Sequence, residues 1–275
     1  MHDIRPGQSV ELLQELHILT RDGKINQDSR RKLKQVNHLM QFVEPLIAAA
    51  RTEHGGVNLV DHGAGKSYFG FMLYDLFFKD AEPGSQIFGI EARAELVAKS
   101  QALAVRLNFP GMRFVNMESA AAADAAEFPP RVDIVTALHA CNTATDDAID
   151  FALKKKAQAI VLAPCCQAEV AAELNRNKNR MMEQDALSEV WRHPLHTREF
   201  GSHLTNVLRC LRLEACGYQV TVTELVGWEH AMKNELIIGR FRNASNGRAT
   251  QRLATLLTKF GLQNLQERFS AASGK

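Results

Sequence analysis

The chain has 275 residues, 45% of them hydrophobic and 23% charged, with 33 Lys and Arg against 31 Asp and Glu for a net charge of +2. That length suits one large domain, or a domain with an appendage, and can bury a substantial core. The five cysteines (141, 165, 166, 210 and 216) form an odd set without a disulfide spacing, which excludes a stapled extracellular scaffold and points to a reducing, cytoplasmic setting. The longest apolar stretch, residues 68–78, carries Asp75 and is too short to span a bilayer, so no membrane association is expected. No basic-then-apolar leader pattern opens the sequence.

In chain order, residues 1–52 read as a helical N-terminal cap. Leu12, Leu13 and Leu16 share one helical stripe; Leu33, Val36, Leu39, Met40 and Val43 form a second. From Val57 the pattern changes to alternating strand and helix, which defines a sheet domain over residues 53–243. The run Val57-Asn58-Leu59-Val60-Asp61 is a strand ending in a carboxylate, and His62-Gly63-Ala64-Gly65-Lys66-Ser67 follows as a tight turn. Gly63 and Gly65 let the backbone turn sharply and let a ligand approach without a Cβ in the way. A strand, such a turn and a helix start make a cofactor cradle at the carboxyl edge of a parallel sheet.

Three ligands compete for a Gly-x-Gly turn. A triphosphate loop needs Gly five residues before the second Gly, and that position is Val60. A dinucleotide fingerprint needs a small residue three places after it, and that position is Tyr68. What remains, Asp61-x-Gly63-Ala64-Gly65, resembles motif I of the class I S-adenosylmethionine (SAM) methyltransferases. The resemblance implies an α/β, doubly wound Rossmann-like sheet, mostly parallel with an antiparallel last strand. It also implies that Asp61 contacts the methionine amino group and that Gly63, Ala64 and Gly65 line the cofactor.

The second strand, Gln86–Glu91, ends in a carboxylate that can accept both ribose hydroxyls, or that caps a helix over 92–107. The third, Met112–Asn116, leads into Met117. The family resemblance places adenine contacts at Asn116 and Met117, although Met117 also suits core packing. A fourth strand over 132–138 ends at Leu138-His139-Ala140-Cys141-Asn142-Thr143-Ala144-Thr145-Asp146, and the resemblance puts Leu138 and His139 beside the cofactor. The fifth, Ala159–Ala163, runs into Pro164-Cys165-Cys166-Gln167. Beyond it, residues 169–200 are longer than an ordinary crossover and read as a candidate lid. A helix over 202–215 stops at Gly217, with Ser202 suited to its N-cap; Arg198, His203 and Asn206 are candidates for the substrate side. Two strands, 219–226 and 235–241, pair next, and residues 244–275 form a basic C-terminal helix and tail. From Arg240 onward seven basic residues stand against Glu267 alone, a balance that favours either a polyanion such as RNA or a solvated helix.

His-x-Cys-x-x-Ala-Thr-Asp followed by Cys-Cys resembles one methyltransferase branch. Its eukaryotic members include a tRNA ribose 2′-O-methyltransferase and several methyltransferase-like proteins. The likeness covers residues 57–167 and Lys233-Asn234 before the last strand; Asn142 replaces a motif Gly and Gln167 a motif His. It implies transfer of methyl from SAM to RNA, tRNA or rRNA. His139 suits a general base for a hydroxyl or amine, or an orienting role in the loop. Cys165, with Cys141, suits either a thiolate nucleophile on a pyrimidine ring or packing against the cofactor. Adjacent Cys165 and Cys166 lack the Cys-x-x-Cys spacing of common zinc knuckles, so no metal is expected. A methyltransferase for a small molecule or a protein, and a SAM-binding RNA-interaction protein without turnover, remain the alternatives.

Overall fold

Seven strands form one sheet in the order β3-β2-β1-β4-β5-β7-β6. They are β1 (Asn58–His62), β2 (Gln86–Glu91), β3 (Met112–Asn116), β4 (Ile134–Leu138), β5 (Ala159–Ala163), β6 (Tyr218–Glu224) and β7 (Glu235–Phe241). The computed structural model describes residues 4–81, 84–138, 140, 142–165, 167–179, 186–225, 235–244 and 246–270. β1 to β5 are parallel, and β7 runs antiparallel between β5 and β6. This is the mostly parallel, doubly wound sheet that the resemblance implies. The chain winds outward from β1 to β3, then restarts beside β1 at β4. That reversal opens a crevice at the carboxyl ends of β1 and β4, where ligands bind in such sheets.

Successive residues of a strand point to opposite faces, so Leu59 joins one hydrophobic cluster and Val60 another. The first cluster lies under α1 (Val10–Glu15), α2 (Gln27–His54), α3 (Tyr68–Leu73) and α4 (Ala94–Arg106). The second lies under α5 (Ser119–Ala122) and α6 (Ala144–Lys155). The predicted cap helices are present, and Leu33, Met40 and Val43 share a core with Ile87 and Ile134 of the sheet. Asn26 caps α2 by accepting from the Ser29 N–H at 2.8 Å, and Gly55 ends it in the left-handed region. The charge inside the long apolar stretch also has a purpose. Asp75, buried in a π-helical turn (Tyr74–Phe78), accepts from the Ser9 N–H at 2.7 Å and from Lys79 at 3.2 Å, fastening the start of α1 to the sheet domain.

Beyond β5 come α7 (Glu169–Arg176), a 3-10 turn (Ala186–Trp191), α8 (Pro194–Ala215), α9 (Gly247–Lys259) and α10 (Gln266–Phe269), which share a third cluster. Trp191 stacks on Phe200 at 5.2 Å and meets the edge of Phe260 at 5.6 Å. The helix expected from Ser202 in fact starts at Pro194, where the missing N–H is no loss. Ser202 is therefore inside the helix and is not its N-cap. Gly201 interrupts the sequence pattern because α7 crosses there: a Cβ on it would sit 2.6 Å from Ala171 Cα. The basic C-terminal segment is amphipathic, with Leu253, Leu257 and Phe269 buried. Two of its arginines are spent on the domain, Arg252 with Glu214 at 2.8 Å and Arg268 with Glu169 at 2.7 Å.

Candidate functional site

The cradle is built by backbone geometry before side chains. Gly63 and Gly65 both take left-handed conformations, with φ of 66° and 57°, and carry the chain from β1 toward α3. The turn lies flat against β2 because Gly89 stands opposite Asp61: a Cβ on Gly89 would be 2.8 Å from Phe114 and 3.3 Å from the Ala64 methyl. The Ala64 N–H donates to Ile90 O at 2.9 Å. On the other side of β1, a Cβ on Gly63 would touch Ala140 at 3.5 Å, so the turns after β1 and β4 are in contact. This is the switch-point crevice in atomic terms.

Asp61 is 4% exposed and accepts from the Thr136 hydroxyl at 2.6 Å, its register partner on β4. Burial pushes its carboxyl up to about 7, against a smaller lowering by Thr136. A cationic ligand group at this carboxylate would favour its ionised form. Glu91 is held differently. Its Oε2 accepts from the Gly65 N–H at 2.8 Å, which ties the end of β2 to the cradle. Arg93 supplies its backbone N–H at 3.0 Å and its guanidinium Nε at 2.7 Å, and the guanidinium bond is the main reason the Glu91 carboxyl lies below its usual range. An ionised carboxylate offers about four acceptor sites. Gly65 and Arg93, whose Nη2 also donates to Oε2 at 3.2 Å, together fill them, and the Arg93 side chain is 61% exposed.

The Asn116 amide donates to Glu91 O at 3.0 Å and Ala92 O at 2.8 Å, so it shapes the end of β2. Met117 and Leu138 are both half-buried, Met117 against the second cluster and Leu138 against the first. Cys165 is half-buried just past β5. His139, Cys141 and Cys166 lie outside the described residues, as do Lys233 and Asn234.

Behind the loop after β4 stands a buried polar buttress. Arg209 donates through Nε to Asp146 Oδ1 at 2.8 Å and through Nη2 to Oδ2 at 2.6 Å, and the two side chains are 1% and 2% exposed. This fork geometry suits guanidinium and carboxylate, which is why the position takes Arg. Nη2 also donates to Asn142 O at 3.0 Å, holding a residue in the left-handed region at φ 52°. Asn206 donates to Glu235 at 2.8 Å, and its Oδ1 accepts from the Gln167 amide at 2.7 Å and from Arg209 Nη1 at 3.3 Å. Asn206 is thus a buried strut, not a group lining the substrate side. Arg198 pairs with Glu199 at 2.9 Å, and His203 is exposed on α8.

Sequence reasoning missed Thr136, Arg93 and Arg209. Thr136 had a weak signal, a hydroxyl inside an apolar strand. Arg93 follows Glu91 by two places. The Arg209 pairing spans 63 positions and needs the fold.

Residues 31–173, just over half of the chain, match the family model described as a methyltransferase domain. Among curated proteins, a human glutathione S-transferase C-terminal domain-containing protein is 25% identical over 239 residues, 80% of this chain and 35% of that protein. Its Xenopus laevis counterpart is 23% identical over 236 residues, 79% and 36% of the two chains. The chain thus spans about a third of the length of the curated relatives it matches. Among solved structures it is similar to the magnesium protoporphyrin IX methyltransferase of Synechocystis PCC 6803 with bound SAH, at a TM-score of 0.43, 12% identity and coverage of 84% and 93%. It is also similar to a fibrillarin pre-rRNA processing protein of Methanococcus jannaschii, at a TM-score of 0.42, 10% identity and coverage of 69% and 68%. By the family match, which takes in the cradle and the ends of β1 to β5, this chain belongs to the methyltransferase-domain family.

Proposed function

We propose that the chain transfers the methyl group of SAM to RNA, of the tRNA or rRNA class, in the cytoplasm. The observation that carries the cofactor reading is the pair of carboxylates at the ends of β1 and β2, flanking a left-handed glycine turn at the switch point. The RNA reading leans on the likeness of the segments after β4 and β5 to the tRNA ribose methyltransferase branch. Cys210 and Cys216, both unbridged, suit a reducing compartment.

In this reading Asp61 takes the methionine ammonium, Glu91 takes the ribose hydroxyls once Arg93 swings away, and Asn116 and Met117 border the adenine. Gly63, Ala64, Gly65 and Leu138 supply the wall. The sulfonium brings an already activated methyl, so the protein contributes mainly alignment of acceptor and methyl. His139 accepts the proton of the acceptor hydroxyl as the methyl arrives. Cys165 borders the acceptor from the end of β5. The buttress of Asp146, Arg209 and Asn142 fixes the start of the helix that follows β4.

The test is transfer of radiolabelled methyl from SAM into a host-cell extract, followed by ribonuclease or protease. Label removed by ribonuclease is the expected result. Label removed only by protease, or confined to small molecules, overturns the RNA reading and leaves the methyltransferase. Tight SAM binding with RNA retention and no labelled product overturns turnover itself.

A further inference from the structure

A groove of about 400 Å³ separates the cap from the sheet domain. It starts at Lys66, directly after Gly65 of the cradle, and follows α4 past Lys99 to Arg106, with His17 on the opposite bank. The turns of α4 between Leu96 and Arg106 give it a length of about 15 Å. Its volume lies within the range of roughly 300–1,000 Å³ typical of ligand sites.

The charges along it are not balanced. Arg106 is engaged by Glu15 at 2.6 Å. Lys66 and Lys99 are exposed, and neither forms an ion pair among the described residues. Beside them the groove has an apolar side: the half-buried Tyr68 ring and Leu103, with Leu16 across from them. Two unpaired ammonium groups beside an aromatic and an aliphatic surface match a ligand with spaced negative charges and flat apolar bodies. A bare polyphosphate would use the lysines and leave the apolar side of the groove, the solvent-facing parts of Tyr68 and Leu103, uncovered. Single-stranded RNA uses both, since its phosphates follow basic side chains while its bases stack on aromatic ones.

We infer that this groove is the RNA track of the enzyme. Lys66 and Lys99 take phosphodiesters flanking the methylated nucleotide, and Tyr68 takes a base. The cap thereby acquires a role: it supplies the second bank of the track. This inference rests on the RNA reading above and gives it a location, moving the polyanion contact from the C-terminal tail to the junction beside the cradle.

The experiment measures binding of a fluorescein-labelled oligouridylate to the whole chain by anisotropy across a salt series, with SAM affinity measured separately by calorimetry. Lys66→Gln and Lys99→Gln are each expected to weaken the oligonucleotide at least about threefold and to reduce the slope of log K against log salt by about 0.7. Tyr68→Phe is expected to bind like the wild type and Tyr68→Ala more weakly, as stacking needs the ring and not the hydroxyl. SAM affinity of Lys99→Gln stays that of the wild type, which shows that the variant is folded. Unchanged oligonucleotide affinity in both lysine variants overturns the inference. A wild type that binds SAM and not the oligonucleotide overturns it together with the RNA reading, while the cofactor reading stands. Displacement of the oligonucleotide by inorganic phosphate at an equal concentration of phosphate groups makes the groove a free-phosphate site, and also overturns it.

Discussion

The two halves of the crevice use carboxylates in opposite ways. On the cradle side, the described partner of Asp61 is a single hydroxyl, and the guanidinium on Glu91 is 61% exposed. On the buttress side, Asp146 is locked by an arginine that is 1% exposed. All three carboxylates are buried, and what differs is the partner: a hydroxyl for Asp61, a surface arginine for Glu91 and a buried arginine for Asp146.

The sharpest way to break that comparison is at the buttress. Arg209→Ala leaves the Asp146 carboxylate buried without its partner, and is expected to cost about 3–5 kcal/mol in urea denaturation. The double variant Asp146→Leu with Arg209→Met should recover much of that, because a buried pair pays heavily for desolvation. A loss below about 1 kcal/mol in the single variant would mean that the pair is not what supports the loop.

Next in size is the pH dependence set by Asp61 and its neighbour His62. Asp61, raised to about 7 in the fold, keeps its proton where the unfolded chain has lost it, so its contribution is complete below about pH 4 and fades as pH rises to about 7. His62 faces the other side of β1, against Phe151 at 4.9 Å, and burial lowers it to about 3. Its contribution runs the other way, present above the unfolded value near 6.5 and lost as pH falls toward about 3. Between about pH 4 and 6.5 the two slopes oppose each other, and Asp147, raised to about 6 by burial, adds to the Asp61 side below about pH 6. Asp61→Asn removes one falling slope, so the stability of the variant should gain on the wild type by up to about 1.4 kcal/mol per unit between about pH 4 and 7. An unchanged slope in that variant would show that Asp61 does not titrate as its burial demands. With SAM, wild-type affinity should rise about tenfold between pH 6 and 8 as the carboxylate forms, and Asp61→Asn should bind weakly at every pH.

A smaller effect tests the hydroxyl under the cradle. Thr136→Val keeps the shape and removes the bond to Asp61, for an expected cost of about 1 kcal/mol. Because that bond lowers the Asp61 pKa, the pH midpoint of SAM binding should move upward. No movement would mean that Thr136 is packing alone. The smallest effect is Arg93→Ala. Freeing the Glu91 acceptors should tighten SAM by no more than about fivefold, since an exposed guanidinium gives its place up cheaply. A large loss of affinity would instead make Arg93 part of the cofactor site.

Much of this was legible because it is local. Asp61-x-Gly63-x-Gly65 and the carboxylate ending Gln86–Glu91 are strand ends, and a strand, its turn and its terminal charge are contiguous in sequence. The apolar runs of β1, β4 and β5 gave the parallel sheet for the same reason: burial on both faces leaves no polar alternation. Thr136 escaped notice because one hydroxyl in an apolar strand has no meaning until the register sets it opposite Asp61. The helix expected from Ser202 starts at Pro194 because Ser202 suits an N-cap by residue type alone, and the close crossing of α7 at Gly201 is a fact of packing.

The sequence by itself determined the order of strands and helices, the glycine turn and the two acidic strand ends, since these depend on residues within a few positions of one another. Tertiary structure decided that Asp61 meets a hydroxyl and Asp146 a buried guanidinium, that Arg209 reaches across 63 positions to Asp146, and that Lys66 and Lys99 border one groove with the cap. Those are facts of packing: burial, register and the approach of distant segments assign a charge its partner, and no local pattern contains them.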